Sequence, residues 1–474
     1  MKRIVVSGLT LGMLIIIVLF VLFSGIVFAD FAPKVIPPAT DAMQHPEFWI
    51  GRITGGADRI MLTPEQIREL NEKNRTLPYE TTDINGNPYS IANIVARIDN
   101  IGIQFLFENP LKIQTFTGDS LRARFKSTRG YFQKGTYFDR RQVQFTDEMK
   151  QELLDKTAFD SIPDTIIPMY GILTAYTLNR ILPTNLPALG GACGWLDLMQ
   201  SASFDYGTPV AVLHASADID WYYVRGETAF GWVPASQVAF GTPAEIGKLA
   251  YSDNFIVVTE HKIPLYANKA FSAFITDVYM GSRLALRKKD ASGYEVLVPY
   301  RNADGSLTTV SGWVKPDADV TIGYQPFTQR NILNTIFNLL YRPYGWADSN
   351  YERDCCGTIR AVYKTFGIFL PRWTTHQLHS GVRVLAFPEN TPKERKYQLL
   401  DSCEPAVSLV GNQGHICMYL GKVDGTYYVI HQSGYSYHTD NGTEMMVRRV
   451  NVNDTELEGG SNIDSWTEIG IFCH

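Results

Sequence analysis

The stretch from Tyr341 to His376 reads YRPYGWADSNYERDCCGTIRAVYKTFGIFLPRWTTH. Inside it, Asp354-Cys355-Cys356-Gly357 opens a run in which Ile359, Val362, Tyr363 and Phe366 recur at helical spacing. That spacing predicts a helix buried along one face, with Cys355 at or near its N-terminus. Backbone N–H groups and the helix dipole favour an anion at that end, which suits a thiolate. Downstream, Gly414–Gly421 and Tyr427–His431 read as two strands, and each carries one histidine, His415 and His431.

A cysteine at a helix start followed by two strand histidines is the layout of a papain-like thiol hydrolase. The segment resembles the catalytic domain of the NlpC family of cell-wall cysteine peptidases, whose motif runs Asp-Cys-Ser-Gly, then Gly-His, then a third polar residue, often His. The resemblance implies Cys355 as nucleophile, His415 as general base and His431 as the group that fixes the tautomer of His415. One departure is plain: the residue after the nucleophile, usually Ser in that family, is Cys356 here. The Asp-Cys order favours Cys355 as the attacking thiol. His376, His379, His438 and His474 are less well placed in the pattern, and Gln432 and Tyr435 are candidates to line the pocket. The resemblance also implies that Asp354 holds the ammonium of an N-terminal L-Ala. Read from position alone, the same carboxylate is a helix N-cap.

The chain has 474 residues and a net charge of −5. Its length predicts two to four domains. Without a Lys/Arg block it shows no electrostatic footprint for nucleic acid. Lys2-Arg3 precedes an apolar run from Ile4 to Phe28, followed by Ala29-Asp30. A basic start, a long apolar stretch and small flanking residues predict export, with residues 1–29 either a cleaved signal peptide or an uncleaved anchor. The expected location is the periplasm or cell envelope, with membrane contact only through that segment. The six cysteines (Cys193, Cys355, Cys356, Cys403, Cys417, Cys473) are too few and too irregular for a disulfide framework. No CxxC or HExxH spacing points to zinc, and neither metal nor organic cofactor is expected.

Before the catalytic segment, Thr63-Pro64-Glu65-Gln66 reads as a helix start with a capping box. Between there and about Asp160 no titratable cluster stands out, so this region is expected to pack against the rest. From about Pro168 the period changes. Thr208–Leu213, Asp220–Val224 and Gly231–Val233 are short β-type runs, and a second set follows at Ser282–Leu286, Tyr294–Pro299 and Gly312–Val314. Two Gly-Trp-Val endings, Gly231–Val233 and Gly312–Val314, each after a Tyr-containing strand, look like an internal repeat. Both sets resemble bacterial SH3-like barrels. In the similar multidomain enzymes a tyrosine from a loop early in the first barrel helps hold the amino end of the substrate, which makes Tyr206 the candidate here.

The expected architecture is multidomain: two small all-β SH3-like barrels plus an α+β papain-like catalytic domain, preceded by a mixed, clip-like N-terminal region. The boundaries fall at 1–29 (signal or anchor), 30–167 (clip-like), 168–243 and 244–327 (SH3-like) and 328–474 (catalytic). The resemblance implies hydrolysis of the γ-D-glutamyl bond to a diamino acid, meso-diaminopimelate or Lys, in peptidoglycan peptides with free N-terminal L-Ala. The competing readings are a non-catalytic wall-binding protein that uses its barrels, and a thiol amidase or acyltransferase on the same fold.

Overall fold

The computed structural model describes residues 30–75, 80–90, 109–190 and 194–474. The predicted signal or anchor, residues 1–29, and Cys193 lie outside the described residues. No helix among the described residues is long and apolar enough to cross a membrane.

The β-branched and aromatic runs in the middle of the chain form two seven-stranded sheets. The first comprises β1 (Met169–Leu173), β2 (Thr177–Arg180), β3 (Gln200–Phe204), β4 (Pro209–Ala215), β5 (Trp221–Arg225), β6 (Phe230–Pro234) and β7 (Val238–Phe240), in the spatial order β3-β2-β6-β5-β4-β1-β7. The second comprises β8 (Phe255–Val258), β9 (Lys262–Tyr266), β10 (Phe274–Tyr279), β11 (Arg283–Asp290), β12 (Gly293–Arg301), β13 (Leu307–Val314) and β14 (Val320–Ile322), in the order β10-β9-β13-β12-β11-β8-β14. Adding seven to each label of the first order reproduces the second. The repeat expected from the two Gly-Trp-Val endings is therefore a repeat of topology. Each sheet encloses its own apolar cluster, around Val210, Val224 and Val233 in the first and Leu265, Val296 and Val314 in the second.

Ahead of the sheets, α1 (Pro64–Arg75) starts as the local chemistry predicts. Thr63 Oγ1 accepts from the Gln66 amide at 3.3 Å, and Gln66 Oε1 accepts from the Thr63 amide at 2.8 Å. Two further helices, α2 (Gly118–Lys134) and α3 (Asp147–Asp155), follow, each capped by a threonine. The N-terminal elements pack on the C-terminal part of the chain. Trp49 is buried against Tyr428, and the Asn71 side chain bridges Gly367 O and the Phe369 amide.

The C-terminal part pairs α4 (Gln329–Phe337), α5 (Cys355–Lys364) and α6 (Thr374–His379) with a six-stranded sheet. Its strands are β15 (Arg383–Ala386), β16 (Ser408–Asn412), β17 (His415–Val423), β18 (Thr426–Ser433), β19 (Arg449–Asp454) and β20 (Glu468–Ile471), ordered β15-β20-β16-β17-β18-β19. Strand β16 begins at Ser408 and β19 at Arg449, each just after a residue whose backbone breaks the extended run. Ala406 has a positive φ of 64° and Arg448 one of 43°, a backbone state that strands do not hold. The predicted face of α5 is buried, with Ile359, Val362, Tyr363 and Phe366 in one core with β17 and β18.

Candidate active site

Cys355 occupies the first position of α5, and Asp354 caps the helix by accepting the Gly357 amide at 2.8 Å. The preceding loop is strained: Ala347, Asp348, Asn350 and Tyr351 all have φ between 49° and 64°, which side chains other than glycine rarely adopt. The first sheet and its neighbours hold that loop. Gln200 Nε2 donates to Ala347 O at 3.2 Å, Tyr176 Oη to Asp348 O at 3.0 Å and Ser203 Oγ to the Asp348 carboxylate at 3.2 Å. Arg360 from α5 reaches the same carboxylate at 3.3 Å. Gly357 explains how Asp348 lies so close to the helix, because a Cβ at that position would overlap the carboxylate.

Asp354 does not present a free carboxylate to a ligand. Its Oδ1 accepts from Gly357 N and from Arg372 Nη1 at 3.2 Å, while Oδ2 accepts from Ala347 N at 3.1 Å and Arg372 Nη2 at 2.5 Å. Four donors fill the lone-pair sites of the two oxygens. Burial pushes the carboxyl up, and Arg372 is the main opposing influence. Position 354 is thus a helix cap locked by an ion pair, the positional reading of this carboxylate. Tyr206 is the other residue expected at the amino end of the substrate. It is buried in the core of the second sheet, its Oη donates to Pro299 O at 3.0 Å, and it lines a cavity of about 820 Å³ whose wall includes Asp205, Arg283 and Lys364 but not Cys355, His415 or His431.

The histidines meet as the pattern implies. His415 opens β17, His431 lies near the end of β18, and His415 Nε2 is 2.6 Å from His431 Nδ1 with the rings nearly perpendicular. His431 Nε2 is 2.7 Å from Asn453 Oδ1 on β19. Both rings are buried, and burial is the first cause that moves them down: His415 well below the usual imidazole range and His431 to about 4. A Cβ on Gly460 would strike the His415 ring, so a glycine lets the 459–462 turn close over it. Helix α5 packs across β17 and β18. Tyr435 links the two halves, with its ring 5.2 Å from His415. Its phenol is pushed up to about 12, first by burial and then by the Cys355 and Cys417 thiols.

The two adjacent thiols are not equivalent. Their sulfurs are 4.0 Å apart and both are free. Burial first, and then the neighbouring Cys355, raise the Cys356 thiol well above its usual range, which keeps it protonated. The His415, Cys417 and His431 donor atoms lie close enough to be a metal trio. However, the two imidazoles are hydrogen-bonded to each other, and burial holds the Cys417 thiol protonated.

Comparisons with known proteins bear on the fold. An SH3 domain model (SH3b1 type) matches residues 196–234, which span β3 to β6. A gamma-D-glutamyl-L-lysine dipeptidyl-peptidase of Bacillus cereus is 29% identical over 171 residues, 34% of this chain and 46% of that protein. The aligned part thus spans less than half the length of that relative. A solved NlpC/P60 endopeptidase from Photobacterium damselae subsp. piscicida superimposes with a TM-score of 0.68 at 18% identity, covering 94% of this chain and 98% of the other. At 18% identity this likeness shows the fold, that of an NlpC/P60 endopeptidase, and the family model places an SH3 domain at residues 196–234.

Several further residues near the thiol were not singled out from sequence. Tyr344 lies close enough to the Cys355 thiol for its phenol to be raised, after burial, by that neighbour, and Trp195 packs edge-on to Tyr344 at 5.7 Å. Arg448 sits 4.2 Å over the Trp195 ring. Arg372 and Asn453 complete the set. Only Asn453 left a trace in the sequence: Asn451 and Asn453 alternate with Val450 and Val452, so two amides face inward from an otherwise apolar strand. Of the other histidines, His379 pairs with Glu468 at 3.2 Å away from the thiol, and His438 pairs with Glu458 at the surface.

Proposed function

We propose that this protein is a cysteine peptidase that hydrolyses the γ-D-glutamyl bond to a diamino acid, meso-diaminopimelate or Lys, in peptidoglycan peptides. The observation that carries the reading is the hydrogen-bonded line from His415 through His431 to Asn453, on strands packed against the helix whose first residue is Cys355. Cys355 Sγ attacks the carbonyl carbon, and His415 takes the thiol proton and delivers it to the leaving amine. First-turn amides of α5 receive the oxyanion. The resulting thioester is hydrolysed by water activated by the same imidazole. The bond assignment is supported by the named activity of the B. cereus relative. Export follows from the sequence of residues 1–29, and the two sheets serve as the frame of the site.

The family resemblance implies a free N-terminal L-Ala, but Asp354 is occupied by Arg372. The assignment therefore rests on the scissile bond and not on the amino end. The test is incubation of protein lacking residues 1–29 with L-Ala-γ-D-Glu-meso-diaminopimelate. Release of L-Ala-D-Glu by wild type and Cys356→Ala, but not by Cys355→Ala, establishes the reaction and its nucleophile. Absence of cleavage of both this peptide and its N-acetylated form refutes the peptidase reading in favour of wall binding.

A further inference from the structure

The third residue of the thiol relay, His431, has a partner of its own. Asn453 Nδ2 donates to Ser461 Oγ at 2.7 Å and to Asp454 O at 2.6 Å. Both amide protons are thereby used, which fixes the orientation of the group: Oδ1, an acceptor only, faces His431 Nε2 at 2.7 Å. The Asn451 amide donates to the same Oδ1 and supports that orientation. The sheet register explains the placement. His431 pairs with Asn451, and Asn453, opposite Val429, is the diagonal neighbour on the same face.

The proton positions follow one from another. Asn453 Oδ1 cannot donate, so His431 Nε2 carries a hydrogen. A neutral His431 then has a bare Nδ1, which can only accept, so His415 Nε2 must carry the hydrogen between the rings. His415 Nδ1 is left as the lone-pair nitrogen of the relay. The opposite arrangement, with His431 protonated on Nδ1, would put the hydrogen of His415 on Nδ1 and leave it unable to accept from a thiol. It would also leave His431 Nε2 and Asn453 Oδ1 as two buried acceptors facing each other.

We propose that Asn453 is a positioning residue that sets the tautomers of His431 and, through it, His415, so that His415 Nδ1 is the base of the reaction. Asn453 touches no substrate and acts only through the two rings. The group extends the relay to four residues, Cys355, His415, His431 and Asn453, with Ser461 and the Asp454 main chain as its outer anchor. The titratable groups beside it are Cys417 on β17, grouped with both histidines, and Tyr435 after β18, which neighbours His415 on one side and the Cys355 thiol on the other, while the Asp454 carboxylate turns away to accept the Glu456 and Leu457 amides.

The proposal rests on the thiol-peptidase reading only for its kinetic readout; two other readouts need no substrate. In protein with labelled histidine rings, nitrogen NMR is expected to show His431 protonated on Nε2 and bare on Nδ1. Asn453→Leu is expected to populate the other tautomer and to lower kcat by at least about tenfold with KM little changed, since it leaves a buried N–H unpaired. Asn453→Asp keeps the acceptor and adds a negative charge that favours imidazolium. Alkylation of Cys355 by iodoacetamide, followed by peptide mass, should then extend to pH lower by about one unit. A wild-type His431 protonated on Nδ1 overturns the proposal, as does an Asn453→Asp protein whose alkylation profile matches wild type. If Asn453→Leu fails to fold, the wild-type tautomer and the aspartate variant still decide. If no peptide is cleaved but the tautomers and alkylation behave as expected, the substrate assignment fails and the relay stands.

Discussion

At the scale of single residues, the site is a set of buried polar groups whose states are fixed by their neighbours. His431 shows the energetic consequence. Its folded value is held at about 4 against 6.5 for the free side chain, so between those limits the unfolded chain binds a proton that the folded chain does not. The stability from keeping this ring neutral is fully present above pH 6.5 and is lost as the pH falls towards 4, with a span of about 3 kcal/mol. Thermal melts of wild type should therefore fall steeply across that window, and His431→Asn should flatten the slope. An unchanged slope would mean that the ring is protonated in the folded state. Asp354 leads to a second expectation. Because Arg372 already satisfies its carboxylate, free and N-acetylated forms of the tripeptide should be cleaved within about tenfold of each other, the loss typical of one missing charge contact being larger when that contact is buried. A preference of about a hundredfold or more for the free amine would restore the ammonium role to this position.

At the scale of elements, the sequence was most legible where one local pattern decides one element. The apolar spacing after Cys355 forced α5, the Thr63–Gln66 capping box forced the start of α1, and alternation placed both histidines on β17 and β18. What was not legible depends on groups far apart in the chain. Arg372 meets Asp354 only because α5 turns back through the loop that leads into α6, and nothing about either residue alone announces the pair. Tyr206 lies in the loop between β3 and β4, early in the first sheet, where the resemblance puts a substrate-holding tyrosine. In the structure it faces the second sheet, and the tyrosine of the first sheet's region that does reach the loop before the nucleophile is Tyr176. That contact carries a prediction. Four left-handed residues before Cys355 are held in part by Tyr176, Gln200 and Ser203, so removing the Tyr176 hydroxyl loosens the loop from the sheet side. Tyr176→Phe should cost about 1 kcal/mol of stability and lower kcat more than it raises KM, as read from melts and steady-state kinetics. Gly357→Ala is the stronger lesion: its methyl group displaces the Asp348 carboxylate, and activity should fall by at least about a hundredfold even if the protein folds.

At the scale of the whole molecule, the regions are bound by buried contacts rather than by flexible tethers. The first sheet reaches Asp348 through Ser203, the second reaches the catalytic part where Met280 O accepts from Arg353 at 3.1 Å, and the N-terminal segment inserts Trp49 beside Tyr428. Trp49 is almost wholly buried, its indole N–H donates to Met43 O at 2.9 Å, and it belongs to the same apolar cluster as Ile359, Ile416 and Ile430. A side chain in that position couples the segment before α1 to β18, the strand that carries His431. Truncating it leaves a cavity in the C-terminal core itself, which for a buried tryptophan costs about 3–5 kcal/mol. Trp49→Ala should therefore lower the melting temperature of the whole chain and broaden the separation between unfolding of the C-terminal part and of the two sheets, which are enclosed by their own cores. Calorimetry can distinguish this from an N-terminal segment that merely rests on the surface. In that case Trp49→Ala leaves the main transition in place, and the catalytic core must owe its stability to α4, α5 and the six-stranded sheet alone.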